Sequence, residues 1–278
     1  MSKIATAALV ALLGLSACAV PVRDRVDTDA LNAGIDQAIG GLDTCVVILD
    51  TQTGRKVYRY GRDTTCGQKL PPCETFELAA AAIGLDDGVI TPQTVFKWDG
   101  TPQPSKLWQK DSNLAQAVHD ANGWWFGHLS QQIGQARYAS ALADFDYGTK
   151  APSGPITSFW RGPAQGGGLY ISTDGQAAFL HRLFGGGLKI KPDSVQAVQA
   201  VMASETRDTA TMTGVAGSCS DQPDHSRGVG WWVGRLKSPT RDLVFAASIE
   251  AAAPPPGADI GDNLKSIFVD ARLWPKAR

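Results

Sequence analysis

The sequence predicts an α+β fold: an antiparallel sheet built from the first and last segments of the chain, flanked by terminal helices, with a helical lobe inserted between them. Three observations predict it. A strand-like hairpin lies near the start. Helix-period signals fill the middle. Three strand-like runs at meander spacing follow, closed by an amphipathic stretch.

"MSKIATAALVALLGLSAC" has one Lys, an apolar run from Ile4 to Leu15 and small residues up to Cys18. The run is too short to span a bilayer and suits an export signal. "LSAC" resembles the lipobox of bacterial lipoproteins. It implies cleavage before Cys18, lipidation of Cys18 and an anchor on the periplasmic face of the outer membrane of a diderm bacterium, since Ala19 rather than Asp follows. Residues 1–17 are then a lipoprotein signal peptide, 18–28 a lipidated tether and 29–278 the domain.

"DALNAGIDQAIGGL" reads as a helix with Leu31, Ile35, Ile39 and Leu42 on one face, ended by Gly40-Gly41. "CVVILD", "TQTG" and "RKVYRY" read as strand, turn and strand. A helical lobe runs from about 74 to 205, broken by loops such as "DGTPQP" and "GPAQGGG". Within it, "STDGQAAFLHRLF" begins at a Ser172 or Thr173 cap and turns Ala178, Leu180 and Leu183 inward. "TATMTGVAG", "GVGWWVGRL" and "LVFAASIEA" read as strands. "GDNLKSIFVDARLW" is a helix on Leu264, Ile267, Phe268 and Ala271.

The 278 residues carry 43% hydrophobic and 19% charged side chains with a formal net charge of -1. Lys and Arg are scattered, so nothing points to nucleic acid or to a charge-driven partner. Setting Cys18 aside leaves Cys45, Cys66, Cys73 and Cys219. Export predicts up to two disulfides; three pairings remain open, and the spacing fits no paired Cys-x-x-Cys zinc site.

The strings "PCETF", "IGLDDGVI", "VFKWDG", "DYG", "SFW", "ISTDGQAAFL" and "GVGWWVG", in this order, resemble the class D β-lactamase (oxacillinase) family and related penicillin-recognising sensor domains. The resemblance runs from about Cys45 to Ile267 and implies the β-lactamase/transpeptidase-like form of the fold. It also implies a chemistry: a serine that attacks the lactam carbonyl, a lysine one helical turn later as carbamylated base, a relay serine, a Lys-Thr-Gly strand, and an arginine for the substrate carboxylate.

This chain departs at each of those places. "PCETFE" puts Glu74 at the serine position and Glu77 at the lysine position. A carboxylate repels the substrate's own carboxylate, and Glu77 has no amine to carbamylate. "HDANG" puts Ala121 at the relay position, and "TMTG" puts Met212 at the strand lysine, with Thr213 and Gly214 retained. "NLKSI" puts Leu264 at the arginine position, beside Lys265. Trp160 and the Tyr147-Gly148 pair match. No Ser-x-x-Lys occurs elsewhere in the chain.

Each sharp reading has a plain one beside it. Glu74 and Glu77 as an acid/base pair compete with acidic residues that favour a first helical turn through the backbone dipole. Glu74, Glu77, His119 and Asp120 could gather at a metal, although no spacing demands it, and no metal or other cofactor is expected. Cys73 as a reactive helix-start thiol competes with disulfide formation. His119, His128, His181 and His225 read otherwise as ordinary. Trp231-Trp232 reads as scaffold, while Trp124, with Trp160, His119, Asp120 and Lys265, is a candidate for the ligand cleft. The expectation is a catalytically degenerate, lipid-anchored binding or scaffolding module with a cell-wall or protein partner. The alternative is a hydrolase with altered chemistry at Glu74 and Glu77.

Overall fold

The computed structural model describes residues 26–252 and 257–277. Cys18 and the signal segment lie outside the described residues. Among those described, no helix is long and apolar enough to cross a membrane.

The first helix, α1 (Thr28–Ile39), is capped by Asp27, whose carboxylate accepts the Ala30 N–H at 3.0 Å. It buries Leu31, Ile35 and Ile39. Leu42 falls beyond the helix end and is 43% exposed, so it does not extend the apolar face. The hairpin β1 (Asp43–Asp50) and β2 (Lys56–Tyr60) turns at Asp50, whose carboxylate accepts the Gln52 and Thr53 N–H groups. A short α2 (Asp63–Gly67) carries Cys66 under β1, where it is bonded to Cys45.

The lobe comprises α3 (Glu77–Asp86), the small ribbon β3 (Val95–Phe96) and β4 (Ser112–Asn113), α4 (Leu114–His119), α5 (Gly123–Ile133), α6 (Gln135–Asp144), α7 (Thr173–Phe184) and α8 (Pro192–Val201). The chain then returns to the sheet as β5 (Ala203–Arg207), β6 (Ala210–Ser220), β7 (Gly228–Lys237) and β8 (Asp242–Ala251), and closes with α9 (Gly257–Asp270). The sheet order is β2-β1-β8-β7-β6-β5, with every neighbouring pair antiparallel. The α+β arrangement predicted from sequence is the one observed. Sequence pattern missed β5, whose residues "ASETR" are mostly exposed and show no apolar alternation.

Two apolar layers sandwich the sheet. Period-2 alternation sends Cys45, Val47 and Leu49 of β1 to the lobe side and Val46 and Ile48 to the α1/α9 side. Trp231 and Trp232 divide in the same way. Helix α3 is buried on every side, from Leu78 to Ile83 without exposure, which makes it the axis of the lobe. Its alanines let neighbouring helices approach closely. In α7, Ser172 caps the helix and Leu180 and Leu183 are buried, but Ala177 rather than Ala178 takes the inward place.

Candidate functional site

The segment leading into α3 is fixed from three sides. The Trp231 indole N–H donates to the Pro71 carbonyl at 2.8 Å, and the Cys73 N–H donates to the Trp160 carbonyl at 3.0 Å. The third restraint is covalent: Cys73 is bonded to Cys219 of β6, 146 residues away. Residues Cys73–Phe76 form a 3-10 turn that runs directly into α3. Cys73 has a positive φ of 51°, so the turn starts from the sparsely populated left-handed region.

Gly217 of β6 lies against this turn. A Cβ there would stand 3.0 Å from the Glu74 nitrogen and 3.1 Å from the Thr75 nitrogen, so a side chain would crowd the turn and glycine allows the close approach. The next residue, Ser218, donates its backbone N–H to Glu74 Oε2 at 2.8 Å. Glu74's own N–H also bonds the carboxylate. Burial pushes the Glu74 carboxyl above its ordinary range, against the pull of the Ser218 N–H and the Arg161 guanidinium.

Glu77 sits one turn further in and is 1% exposed. Neither of its carboxyl oxygens has a hydrogen-bond partner. Burial first, and the neighbouring Glu74 second, raise its pKa well above the carboxylate range, with Arg161 opposing. Glu77 is therefore a buried, unpartnered carboxyl whose charged form its surroundings disfavour. The dipole account of these glutamates is incomplete, because burial dominates both. Arg161 directly follows Trp160; its guanidinium lies 5.3 Å from the Trp108 ring centroid, and its Nε is buried without a partner. Sequence reading passed over Arg161 and Ser218. The cation beside "SFW" was the available signal for the first; nothing local marked the second.

The other expected positions divide. Trp160 is 1% exposed and stacks on Phe76 with centroids 5.4 Å apart, directly beside the turn. Ala121 has φ 46° at the α4–α5 junction, and Asn122 after it caps α5. Trp124 is half-buried and stacks on His128, while Trp125 is the core residue of that pair. Asp120 is held by Lys110 at 2.7 Å and His119 at 2.9 Å, interactions that lower its pKa against burial. The His119 side chain is 83% exposed. Neither His119 nor Asp120 is among the charges acting on the two glutamates. Among the described residues, no group of three or more His, Cys, Asp or Glu is gathered as a metal site.

Five expected site residues lie elsewhere: Met212, Thr213, Gly214, Leu264 and Lys265. Met212 does not face Glu74: it is 2% exposed within the α1/α9 core, on the far face of the sheet. Thr213 is buried on β6 with its hydroxyl directed to the Arg235 carbonyl, and Gly214 makes room for the Trp232 ring. The stretch that lies against Glu74 is three residues later, Val215-Ala216-Gly217. A shift of three residues in a period-2 strand exchanges the faces. Lys265 lies at the sheet edge, 3.7 Å from both Glu205 and Asp262, on the α9 side with Met212. Leu264 is fully buried in that same outer core.

Residues 44–270 match the family described as penicillin binding protein transpeptidase domain. The β-lactamase OXA-48 of Klebsiella pneumoniae is 31% identical over 66% of this chain and 67% of its own length. OXA-10 of Pseudomonas aeruginosa is 31% identical over 64% of this chain, and the matched stretch spans 66% of that relative. The crystal structure of the class D β-lactamase from Bacillus subtilis superposes with a TM-score of 0.76 at 25% identity, covering 87% of this chain and 97% of that one. The C-terminal domain of the Bacillus licheniformis BlaR penicillin receptor has the same fold, with a TM-score of 0.77 at 20% identity over 88% of this chain and 96% of that domain. The chain belongs to the penicillin-binding protein transpeptidase family and has the class D β-lactamase-like fold.

Proposed function

We propose that this chain is a binding or scaffolding module that keeps the class D β-lactamase-like fold without serine acylation. It is anchored through Cys18 at the periplasmic face of the outer membrane and engages a cell-wall or protein partner. The observation that carries this reading is the hydrogen bond from the Ser218 N–H to the Glu74 carboxylate. An N–H aimed at a reacting centre is what stabilises a developing oxyanion. Here the chain's own side chain takes that donor, and the residue bearing it has no nucleophilic hydroxyl. Glu77, buried and without an amine, cannot serve as a carbamylated base.

The test is intact-protein mass spectrometry after incubation with a penicillin, run beside nitrocefin hydrolysis. An unchanged mass and no turnover are expected. A covalent adduct or fast hydrolysis would overturn the reading. Replacing Cys18 with Ser should move the protein from the membrane fraction to the soluble fraction.

The second reading, a hydrolase with altered chemistry, draws on two carboxyls one helical turn apart, Glu74 and Glu77, the residue types of an acid/base pair. It requires turnover that Glu74→Gln or Glu77→Gln abolishes.

A further inference from the structure

We propose that the Cys73–Cys219 bond is a thiol–disulfide exchange site that latches the Glu74 turn onto β6, and that a dithiol reductant opens it. The inference rests on reading Glu74 as the internal occupant of its site, and its test reads the latch without any ligand.

The geometry brings the parts together. Cys73 immediately precedes Glu74, and Cys219 immediately follows Ser218. The disulfide and the Glu74–Ser218 hydrogen bond therefore form two adjacent rungs between the same two segments. Gly217 packs without a side chain against the nitrogens of Glu74 and Thr75 and completes the contact. The hydrogen-bond rung keeps a carboxylate out of water, which burial opposes. The covalent rung holds it there.

The two disulfides differ in accessibility. Cys45 and Cys66 are both without exposure. Cys73 is also fully buried, but Cys219 is partly exposed, so of the two bonds Cys73–Cys219 is the one with a residue at the surface, and the proposed attack is at its Cys219 end. A thiolate of the dithiol attacks Sγ of Cys219. The sulfur–sulfur bond breaks, and Cys73 leaves as a thiolate that takes up a proton. The dithiol's second thiolate then attacks the mixed disulfide and releases Cys219. Two electrons pass to the protein, and the reductant ends as a disulfide. With the covalent rung gone, the Glu74 carboxylate is free to rehydrate and the Ser218 N–H is vacated.

The experiment uses the full chain, titrated with dithiothreitol and quenched by alkylation, with hydrogen exchange followed by mass spectrometry. Cys73 and Cys219 should alkylate before Cys45 and Cys66. In the reduced protein, exchange should rise about tenfold or more in peptides covering 70–80 and 214–221 and stay unchanged across β8, as for a local opening. Re-oxidation should restore protection. Unchanged exchange at Ser218 overturns the proposal, since the hydrogen bond then suffices alone. Loss of protection across the whole domain also overturns it, because the bond is then only a global staple. First alkylation at Cys45 and Cys66 overturns the exchange site itself. Cys219→Ser, which leaves every residue of the turn in place, should show the reduced pattern without reductant; if it exchanges like the oxidised protein, the latch is refuted. Acylation by penicillin, which would overturn the proposed function, leaves these readouts intact.

Discussion

Glu77 makes the pH dependence of stability predictable. Its carboxyl is 1% exposed, and neither oxygen has a partner. Burial raises its pKa well above the carboxylate range in the folded chain, while unfolding returns it to water and to its ordinary value of 4.5. The sign follows. A group whose folded pKa is raised contributes its full stability below the unfolded pKa, and that contribution is lost as pH rises toward the folded value. Each pH unit above 4.5 over which Glu77 is protonated when folded and ionised when unfolded removes about 1.4 kcal/mol. For a domain of this size that is about 3–5 °C of Tm per pH unit.

Two substitutions separate the contributions. Glu77→Gln removes the titration but keeps an unpartnered polar group, so its Tm should match the parent near pH 4 and rise above it progressively toward pH 8. Glu77→Met removes the polar group as well and should add about 1–3 kcal/mol over Glu77→Gln at every pH. Differential scanning calorimetry from pH 4 to 8 reads both. A residual slope should remain, because the Glu74 pKa is also raised by burial. Parallel Tm curves for the parent and Glu77→Gln, or a less stable Glu77→Gln, would refute the reasoning and place a stabilising partner on that carboxyl.

Three further predictions concern neighbouring features. Gly217→Ala should destabilise by about 1–3 kcal/mol in urea melts, because the new methyl meets the Glu74 and Thr75 nitrogens at 3.0 and 3.1 Å. Met212→Lys should not rebuild a cleft lysine but should lose about 3 kcal/mol or more in the same assay, because it buries an unpaired charge in the outer core. Removing the Cys45–Cys66 bond by paired Ser substitution opens a loop of separation 21 and should lower stability by about 3 kcal/mol, read as a Tm drop of about 6–12 °C.

Much of the architecture was legible because local pattern and burial share one period. Leu31, Ile35 and Ile39 on α1, and Leu264, Ile267 and Phe268 on α9, announce the outer layer by spacing alone. The strands β6 to β8 were visible from their apolar runs. Strand β5 was not, because an exposed edge strand needs no apolar alternation and gains its identity only by pairing with β6. The cysteines posed a similar limit. Their number predicted up to two bonds, but the choice among three pairings depends on Cα atoms meeting across 21 and 146 residues.

The site shows the same division more sharply. By itself, the sequence set Glu74, Glu77 and Ala121 where its resemblance to the family leads one to expect the serine, lysine and relay groups, because that expectation rests on residue identity. It could not determine that "VAG" rather than "MTG" lies against Glu74. Both strings read as the same strand, and only the meeting of the Cys73 turn with β6 sets which face looks inward. Nor could it show that Glu77 is without a partner while the Ser218 N–H serves Glu74. Hydrogen-bond satisfaction and desolvation belong to groups brought together from distant parts of the chain, here 144 residues apart, and they exist only once the lobe is packed on the sheet.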